Sequence, residues 1–411
     1  MSEPFRINRV VLKNYRSIAE CDVELKNLTF LSGPNGAGKS NFLEALRFVA
    51  DSLSSPLENA VNQRGGFGNI CHRGKTAGDT LSIHLEFEAP CRFEGEYSFT
   101  LRAGRQGVVL ILNEDCSIIE TATGKRVRYS IAPGRPIEAR EGIPPVIADD
   151  RLHLVHAGSV VRELRPLYDA LSMMRFCSPE PRAIRVQKPA ALGDQDTLTA
   201  NADNIALVLG HLERHHPWVR NRIDEFLKAI VPSLTSVQVQ GDDYRYLRFQ
   251  FEFPEGGGVR VFNSENMSDG TLRALGVLTG MFQRPEHKSG LKAAVVGIEE
   301  PETALHPAAA RVLFDALTEA AESRQVIVST HSPDLLDSDD VEADSILAVQ
   351  MGEDGATQIG PLDEAGRSVL RERLYTPGEL MRINHLQPRR EVSDSLKLSD
   401  RVDVELSPDE Q

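Results

Sequence analysis

The sequence is poor in cysteine and lacks any long apolar segment. Its cysteines are Cys21, Cys71, Cys91, Cys116 and Cys177, and no two of them form a CxxC pair. Five scattered cysteines argue against a disulfide framework and a zinc site, so we expect reduced thiols in or near the core. No stretch approaches the roughly 18 uninterrupted apolar residues of a membrane-spanning helix. The N-terminus lacks the features of a signal peptide, which predicts a cytoplasmic protein with no membrane partner.

Basic residues are too few for a protein that coats nucleic acid with its whole surface. Lysine and arginine number 46 against 60 acidic residues, and the formal net charge is −14. Any contact with DNA must therefore use a local basic patch. No internal repeat is present, and no heptad pattern persists long enough for a coiled-coil arm. The remaining composition, 41% hydrophobic and 26% charged, is that of an ordinary globular protein.

The order of the predicted elements indicates an α/β fold. Strand-like alternation at the start leads into a glycine loop and a helix, and short alternating runs from about 80 to 130 predict an antiparallel β lobe. A mixed region follows, with a helix expected over 206–230. After 236 the order strand, helix, strand predicts a parallel sheet. We expect the boundaries 1–135 for an N-terminal lobe, 136–235 for a loop and helical insertion, 236–386 for a C-terminal lobe and 387–411 for a flexible acidic tail.

The most specific motif is GPNGAGKS, which fits the phosphate-binding pattern G-x-x-x-x-G-K-[ST]. Its residues are Gly33, Pro34, Asn35, Gly36, Ala37, Gly38, Lys39 and Ser40, and Asn41 follows. Glycines permit positive φ angles and close backbone approach, so amide hydrogens and a helix N-terminus can surround a phosphate chain. Lys39 would place its charge on the β and γ phosphates, and the Ser40 hydroxyl would bind Mg²⁺. The predicted flanking strand and helix disfavour the alternative, a plain glycine-rich turn.

Each of two later apolar strands is followed by side chains that could bind a ligand or act in catalysis. The first, over 293–298, leads into Glu299 and Glu300, and the second, over 325–329, is followed by Thr330 and His331. Parallel strands in an α/β sheet present such residues to the ligand crevice. One carboxylate can hold the magnesium shell while its neighbour activates water, and His331 would sense a γ-phosphate. Each feature alone also fits an ordinary strand end or a packed histidine, and the pairing favours a site.

A fourth segment, MSDGTLR, stands just before a predicted helix and contains Ser268, Asp269 and Gly270. Ser268 is a good N-cap, and its hydroxyl with the first-turn amides would form an anion site. A capped helix start is the structural alternative, and it does not exclude phosphate binding.

With these segments in this order, the chain resembles ATP-binding-cassette (ABC) type ATPases of the RecF, SMC and OLD group, and specifically the small RecF-like AAA-type ATPases. The resembling segments are INRVVLKNYRSI, GPNGAGKSNFLEALRFV, MSDGTLRALGVL, VVGIEEPETALHP and QVIVSTHSPDLL. The resemblance implies a P-loop NTPase fold of the ABC-ATPase head type, a mixed sheet with an antiparallel β lobe and a helical insertion. ATP as the nucleotide, in preference to GTP, also rests on this resemblance.

The resemblance implies a role for each motif. Residues 33–40 look like the Walker A loop, Glu299 like the Walker B magnesium-shell acid, Glu300 like the catalytic glutamate, 303–306 like the D-loop and His331 like the switch histidine. The segment 268–270 resembles the signature loop, which in this group binds ATP held by the opposite protomer. The implied activity is slow, Mg²⁺-dependent hydrolysis of ATP to ADP and phosphate by an ATP-dependent homodimer.

Three departures from the family pattern stand out. The signature reads MSDGT where transporters have LSGGQ, and the Walker B strand ends Glu-Glu where many relatives have Asp-Glu. Both departures are usual in the OLD and RecF-like branch and disfavour a transporter ATPase subunit. The carboxylate of Asp269 leaves the strength of binding to the opposite protomer's ATP open. No Q-loop stands out; Gln63 is a candidate, with a plain turn as the alternative.

Two classes of function stay open from the sequence. The first is a DNA-associated, RecF-like ATPase in DNA repair, including double-strand break repair, or in antiphage defence. The second is an ATP-switched scaffold that controls a separate effector such as a nuclease, because the roughly 80 residues after His331 are too few for the nuclease domain that OLD proteins carry. Two basic clusters are candidate DNA contacts, with solvated charged faces as the alternative. They are Arg162, Arg165, Arg175, Arg182, Arg185 and Lys188, and then Arg214, His215, His216, Trp218, Arg220 and Arg222.

Overall fold

A computed structural model describes most of the chain. The described ranges are 5–73, 79–89, 92–104, 108–132, 138–139, 150–189, 196–253, 257–283, 295–338 and 340–389. The strands are β1 (Arg6–Tyr15), β2 (Ile18–Glu24), β3 (Leu28–Ser32), β4 (Thr80–Ala89), β5 (Phe93–Ala103), β6 (Val109–Glu120), β7 (Arg126–Ile131), β8 (Glu138–Ala139), β9 (Arg175–Cys177), β10 (Lys188–Pro189), β11 (Leu234–Gln240), β12 (Tyr244–Phe253), β13 (Gly258–Asn263), β14 (Val295–Glu299), β15 (Gln325–Thr330), β16 (Ile346–Met351) and β17 (Thr357–Pro361). The helices are α1 (Lys39–Ser54), α2 (Leu57–Asn62), α3 (Phe67–Ile70), α4 (His153–Val160), α5 (Arg165–Ser172), α6 (Pro181–Ile184), α7 (Ile205–His215), α8 (Pro217–Ile230), α9 (Asp269–Phe282), α10 (Ala310–Ala321), α11 (Glu364–Arg371) and α12 (Pro377–Arg382).

The central sheet has the strand order β17-β16-β3-β15-β14-β9. All neighbouring pairs are parallel except β16 with β17. Strand β15 is buried along its whole length, as expected for a parallel strand covered on both faces. The predicted parallel sheet is confirmed. Strand β9 belongs to the region 136–235, so that region also contributes an edge strand to the central sheet.

A second sheet is antiparallel and has the order β2-β1-β4-β5-β6-β7-β8. Buried and partly exposed residues alternate along β4, so one face of this sheet packs on the core. Helix α1 covers that face: the ring of Phe48 lies 6.1 Å from Tyr15 on β1 and 6.4 Å from Phe99 on β5, centroid to centroid. The predicted antiparallel lobe is confirmed, and β1 and β2 belong to it.

A third, smaller sheet is formed by β10, β11, β12 and β13, with β12 in its middle. Its apolar residues share a core with α7, α8, α9 and α10 on the other side of the central sheet. The single helix predicted over 206–230 is wrong, because α7 ends at His215 and α8 begins at Pro217. Proline lacks the amide hydrogen that a continuous helix needs, and it disfavours helical φ and ψ at the preceding His216.

Four cysteines lie in the described residues, in or near the core as predicted. Cys21, Cys116 and Cys177 are buried and Cys71 is half-buried, while Cys91 lies outside the described residues. In the described part of the chain, no helix combines the length and the apolar character that crossing a membrane requires.

The start of the predicted acidic tail is ordered. The carbonyl oxygen of Gln387 accepts a hydrogen bond from the amide of Asp363 at 3.0 Å, and the amide of Arg389 donates to Pro361 at 2.8 Å. The remainder of that tail lies outside the described residues.

Candidate nucleotide site

The phosphate loop connects β3 to α1 in a conformation that requires glycine. Gly36 and Gly38 have φ angles of +78° and +105°. A Cβ atom at Gly33 would lie 2.0 Å from the carbonyl oxygen of Val349 on β16, and one at Gly38 would lie 2.1 Å from the hydroxyl of Thr357 on β17. Strands β16 and β17 therefore approach the loop too closely at Gly33 and Gly38 for any side chain to fit. Helix α1 begins directly at Lys39, with its first amide groups facing the loop.

A network of side-chain hydrogen bonds fixes the phosphate loop and the first turn of α1. The Thr357 hydroxyl donates to the carbonyl oxygen of Ala37 at 2.9 Å and lies 2.7 Å from the Ser17 hydroxyl. The side-chain amide of Asn41 donates to Ser17 at 2.6 Å, and Arg16 reaches the Asn41 oxygen at 3.3 Å. Sequence reasoning did not single out Thr357, which lies 320 residues from Ala37 and in no motif. Arg16 and Ser17 lie in INRVVLKNYRSI, one of the segments that carry the family resemblance, so the sequence did point to their region.

The Lys39 side chain is buried inside the loop. Its residue is 4% exposed, and the ammonium donates hydrogen bonds to the carbonyl oxygens of Gly33 at 2.8 Å and Pro34 at 3.0 Å. Burial lowers the pKa of Lys39, and the carboxylates of Glu300 and Glu302 oppose that effect. The loop thus holds one cation where a phosphate chain would lie, next to two acidic groups.

The two predicted magnesium ligands meet at the start of α1. The Ser40 side chain lies close enough to the Glu299 carboxylate, at the end of β14, to affect its pKa. Burial raises the pKa of Glu299, and the nearby Ser40 hydroxyl opposes that rise. Hydroxyl and carboxylate oxygens are ligands that Mg²⁺ prefers, usually with water and phosphate oxygens completing the shell. The described residues contain no cluster of three or more His, Cys, Asp or Glu side chains fit for a metal, and a nucleotide-bound Mg²⁺ does not need one.

The predicted catalytic residues are neighbours across β14 and β15. His331 Nδ1 lies 3.3 Å from Glu300 Oε1. The amide of Glu300 donates to the carbonyl oxygen of Ser329 at 2.9 Å, which ties the end of β14 to β15. Glu300 has a φ of +43°, a region that residues other than glycine rarely adopt. This unusual turn presents the carboxylate on the same side as the histidine.

Glu302 is a further acidic residue that sequence reasoning did not single out, although it is the third acid in EEPE. It is 8% exposed, and its Oε1 accepts hydrogen bonds from the Thr330 hydroxyl at 2.6 Å and the His331 amide at 3.4 Å. Burial raises the pKa of Glu302. These hydrogen bonds fix the position of the backbone at His331.

The signature-like segment caps α9 as predicted. The Ser268 hydroxyl oxygen accepts a hydrogen bond from the Thr271 amide at 3.2 Å. A Cβ atom at Gly270 would lie 2.3 Å from the carbonyl oxygen of Ala304, so the start of α9 contacts the D-loop-like residues 303–306 closely. The Asp269 carboxylate is paired with Arg185. Among the hydrogen bonds and ion pairs of the described residues, none joins 268–270 to the phosphate loop.

The other candidates from the sequence form contacts outside the phosphate loop. Gln63 follows the last residue of α2, and its side chain is exposed. In the basic clusters, Arg220 is 5% exposed and donates to the carbonyl oxygen of Val237, so it cannot face an external ligand. Several further members form ion pairs within the chain: Arg165 with Asp169, Arg185 with Asp269, Lys188 with Asp203 and Arg222 with Glu319.

Comparison with known proteins adds family membership to this geometry. An OLD nuclease of Thermus scotoductus is 25% identical over 384 residues, which cover 89% of this chain and 66% of that protein. A DNA replication and repair protein RecF of Corynebacterium jeikeium is 37% identical over 87 residues, 20% of each chain. The crystal structure of an SMC head bound to the C-winged helix domain of ScpA matches with a TM-score of 0.48 and 14% identity, over 86% of this chain and 96% of that one.

This chain therefore spans about two thirds of the length of the OLD nuclease that it matches. A family profile described as "AAA domain, putative AbiEii toxin, Type IV TA system" matches residues 28–337. That range contains the phosphate loop, the signature-like segment, Glu299, Glu300 and His331. The chain belongs to this AAA family, within the ABC-type ATPases of the RecF and OLD group.

Proposed function

We propose that this protein binds ATP with Mg²⁺ in the phosphate loop and hydrolyses it slowly as an ATP-dependent homodimer. The observation that carries the proposal is the strand order β3-β15-β14. It brings Lys39, the Ser40 and Glu299 pair, and the Glu300 and His331 pair to the same edge of the central sheet.

The chemistry follows from these positions. The Glu300 carboxylate accepts a proton from a water molecule that attacks the γ-phosphorus, and ADP leaves from the opposite side. Lys39 and His331 donate hydrogen bonds to the phosphoryl oxygens, where negative charge develops in the transition state. Ser40 and Glu299 would hold the Mg²⁺, which would supply positive charge beside the phosphate oxygens.

A groove beside the phosphate loop suits the nucleoside end of the ligand. Its volume is about 500 Å³, and Asn41, in the first turn of α1, forms part of its wall. Arg16 and Arg73 also line it, and guanidinium groups can stack on a base or bind a phosphate. We place the ribose and base in this groove.

The homodimer is proposed because none of the hydrogen bonds and ion pairs in the described part of the chain joins the signature-like segment to the phosphate loop. The Ser268 hydroxyl and the first turn of α9 form an anion-binding arrangement, and their described contacts are to the D-loop-like residues and α6. A second copy would bring this arrangement to the γ-phosphate bound by the first.

The test is the oligomeric state of Glu300→Gln, measured by light scattering with Mg²⁺ and ATP and without nucleotide. Removal of the water-activating carboxylate should trap an ATP-bound dimer, and adding Ser268→Arg should abolish it. Ser130→Arg is the matched control, because Ser130 is exposed on β7 of the antiparallel sheet. A chain that binds ATP yet stays monomeric would contradict the composite site, and a chain that binds no ATP would contradict the whole proposal.

In the cell, we propose a RecF-like role in DNA repair, genome maintenance or antiphage defence, in the cytoplasm. The matched relatives named for DNA repair and for nuclease activity support this class of role. The test is binding of duplex and single-stranded DNA to the Glu300→Gln protein with ATP across a salt series, because contacts with phosphates weaken as salt rises. Absence of salt-dependent binding would contradict a direct DNA role.

The second candidate is an ATP-switched scaffold for a separate effector such as a nuclease. The ion pairing of Arg165, Arg185, Lys188 and Arg222 within the chain favours it, since these residues are then engaged by internal acids. Capture of one nuclease by the Glu300→Gln protein with ATP, and not without it, would support the scaffold. Robust DNA-stimulated hydrolysis in the absence of any partner would argue against it.

A further inference from the structure

The signature-like segment carries an exposed acidic residue at the surface proposed to meet ATP. Asp269 stands between Ser268 and Gly270, and its side chain is 63% exposed. A carboxylate there would repel a triphosphate, because like charges a few ångströms apart disfavour each other. The same helix start otherwise suits an anion, with the Ser268 hydroxyl and the amides of Asp269 and Gly270 at the N-terminus of α9.

Arg185 is placed to cancel this charge. It follows α6, 84 residues before Asp269 in the chain, and one guanidinium nitrogen donates to both the Asp269 carboxylate and the carbonyl oxygen of Met267, the latter at 2.8 Å. The Arg185 side chain is 26% exposed, so the guanidinium is partly sheltered from solvent. One side chain thus neutralises the acid and fixes the backbone just before the N-cap.

We propose that Arg185 is a positioning residue that neutralises Asp269 and holds the segment 267–270 ready for the γ-phosphate of ATP bound by a second copy of this chain. This inference rests on the proposed ATP-dependent dimer. It assigns a role in that dimer to the region between the two lobes, because α6 and Arg185 lie within 136–235.

Two other roles for Arg185 make different predictions. If Arg185 itself contacted the phosphate, its loss would not be repaired by removing the Asp269 charge. If it served only to brace Met267, its loss would again not be repaired at Asp269. Rescue of an Arg185 variant by neutralising Asp269 is therefore specific to the charge-cancelling role.

The experiment measures, in the Glu300→Gln background, the ATP concentration that gives half-maximal dimer by light scattering. We expect Arg185→Ala to raise that concentration at least about tenfold, with a larger effect at low salt. The double variant Arg185→Ala, Asp269→Asn should lie within about threefold of Asp269→Asn alone. Arg9→Ala is the matched control, because it removes half-buried ion pairs with Asp22 and Glu86 on the antiparallel sheet, and we expect no change in dimer formation.

Folding is checked by thermal melting of each variant. Arg185→Gln removes the charge and keeps a polar side chain that can still donate a hydrogen bond, so it provides the same comparison, with and without Asp269→Asn, if the alanine variant unfolds. If Arg185→Ala reached half-maximal dimer at the same ATP concentration as the Glu300→Gln parent, the inference about Arg185 would be overturned. The proposed dimer would not be affected by that result. A defect that Asp269→Asn does not repair would also overturn the inference. Failure of the Glu300→Gln parent to dimerise would overturn the proposed function itself, before any Arg185 variant is measured.

Discussion

The Arg273 guanidinium donates a hydrogen bond to the carbonyl oxygen of Glu300, at 3.3 Å. The same nitrogen donates to the carbonyl oxygen of Glu299 at 3.2 Å, and a second nitrogen donates to Pro179 at 3.2 Å. Arg273 lies on α9, five residues after the N-cap Ser268. The helix that carries the signature-like segment therefore holds the turn in which Glu300 adopts its φ of +43°.

Loss of Arg273 should slow hydrolysis more than it weakens ATP binding. Without the guanidinium the unusual turn at Glu300 relaxes, and a misplacement of about 1 Å can lower the rate by about a hundredfold. We expect Arg273→Ala to lower the hydrolysis rate at saturating ATP at least about tenfold, while the Kd for ATP changes less than about threefold. Phosphate release and equilibrium binding measure the two quantities.

Arg273→Lys is the control for packing, since it keeps a long cationic side chain and should recover part of the rate. Equal losses in rate and in ATP affinity, together with a lower melting temperature, would mean that Arg273 serves general stability.

Substitution of Gly38 should destroy the phosphate loop. Alanine there would have to adopt a φ of +105° and place Cβ 2.1 Å from the Thr357 hydroxyl. We expect Gly38→Ala to raise the Kd for ATP roughly 30-fold or more, about 2 kcal/mol. Gly124→Ala is the matched control, because its φ is +67° with open space around it. It should cost roughly 1 kcal/mol of stability and leave ATP binding unchanged; equal binding by both variants would refute the clash.

Thr357 should support ATP binding through its hydroxyl. Valine has nearly the same shape but cannot donate to Ala37, which leaves a buried carbonyl oxygen without its partner. We expect Thr357→Val to raise the Kd for ATP by about five- to thirtyfold, an effect of about 1–2 kcal/mol, and Thr357→Ser to stay near the unaltered value. Isothermal titration with ATP measures both, and the idea fails if serine and valine behave alike.

His153 should make stability fall in mild acid. It is 3% exposed, neither ring nitrogen has a hydrogen-bond partner within the described residues, and burial lowers the pKa of His153 from 6.5 to about 4. Below about pH 6.5 the His153 imidazole binds a proton in the unfolded chain, whereas in the folded chain it binds one only near pH 4. The contribution of His153 to the free energy of unfolding is thus fully present well above pH 6.5, and it falls by roughly 2 kcal/mol by pH 5.

Urea unfolding at pH 7.5 and pH 5 measures this decline. The rings of His153 and Tyr129 pack edge-on with their centroids 5.1 Å apart. His153→Phe keeps an aromatic ring there and removes the titrating group, so the pH dependence of the free energy of unfolding should become smaller. The exposed His385→Gln is the control and should leave it unchanged. An unchanged pH dependence in His153→Phe would rule out His153 as its source.

The phosphate loop and the cap of α9 could be predicted because both depend on neighbours in the chain. Glycines at fixed spacing permit the left-handed turns of residues 33–38, and a serine before a helix satisfies its first amides. The proline at 217, which divides α7 from α8, was equally local, and the predicted continuous helix overlooked it.

Arg185, Arg273, Glu302 and Thr357 could not be found in the same way. Each acts through contacts with residues far along the chain: Thr357 reaches Ala37 across 320 positions and Arg185 reaches Asp269 across 84. None of them stands in a pattern that predicts its partner. Their roles depend on which strands and helices become neighbours.

Local sequence thus accounts for the phosphate loop, the apolar strands and the acids and histidine that follow them. The tertiary structure decided that β15 lies between β3 and β14, which puts Glu300 and His331 within 3.3 Å of each other beside the loop. A buried strand with an apolar run fits many neighbours equally well, because hydrophobic burial has no direction. The order of the sheet is selected by the packing of the whole chain, and the site exists only once that order is set.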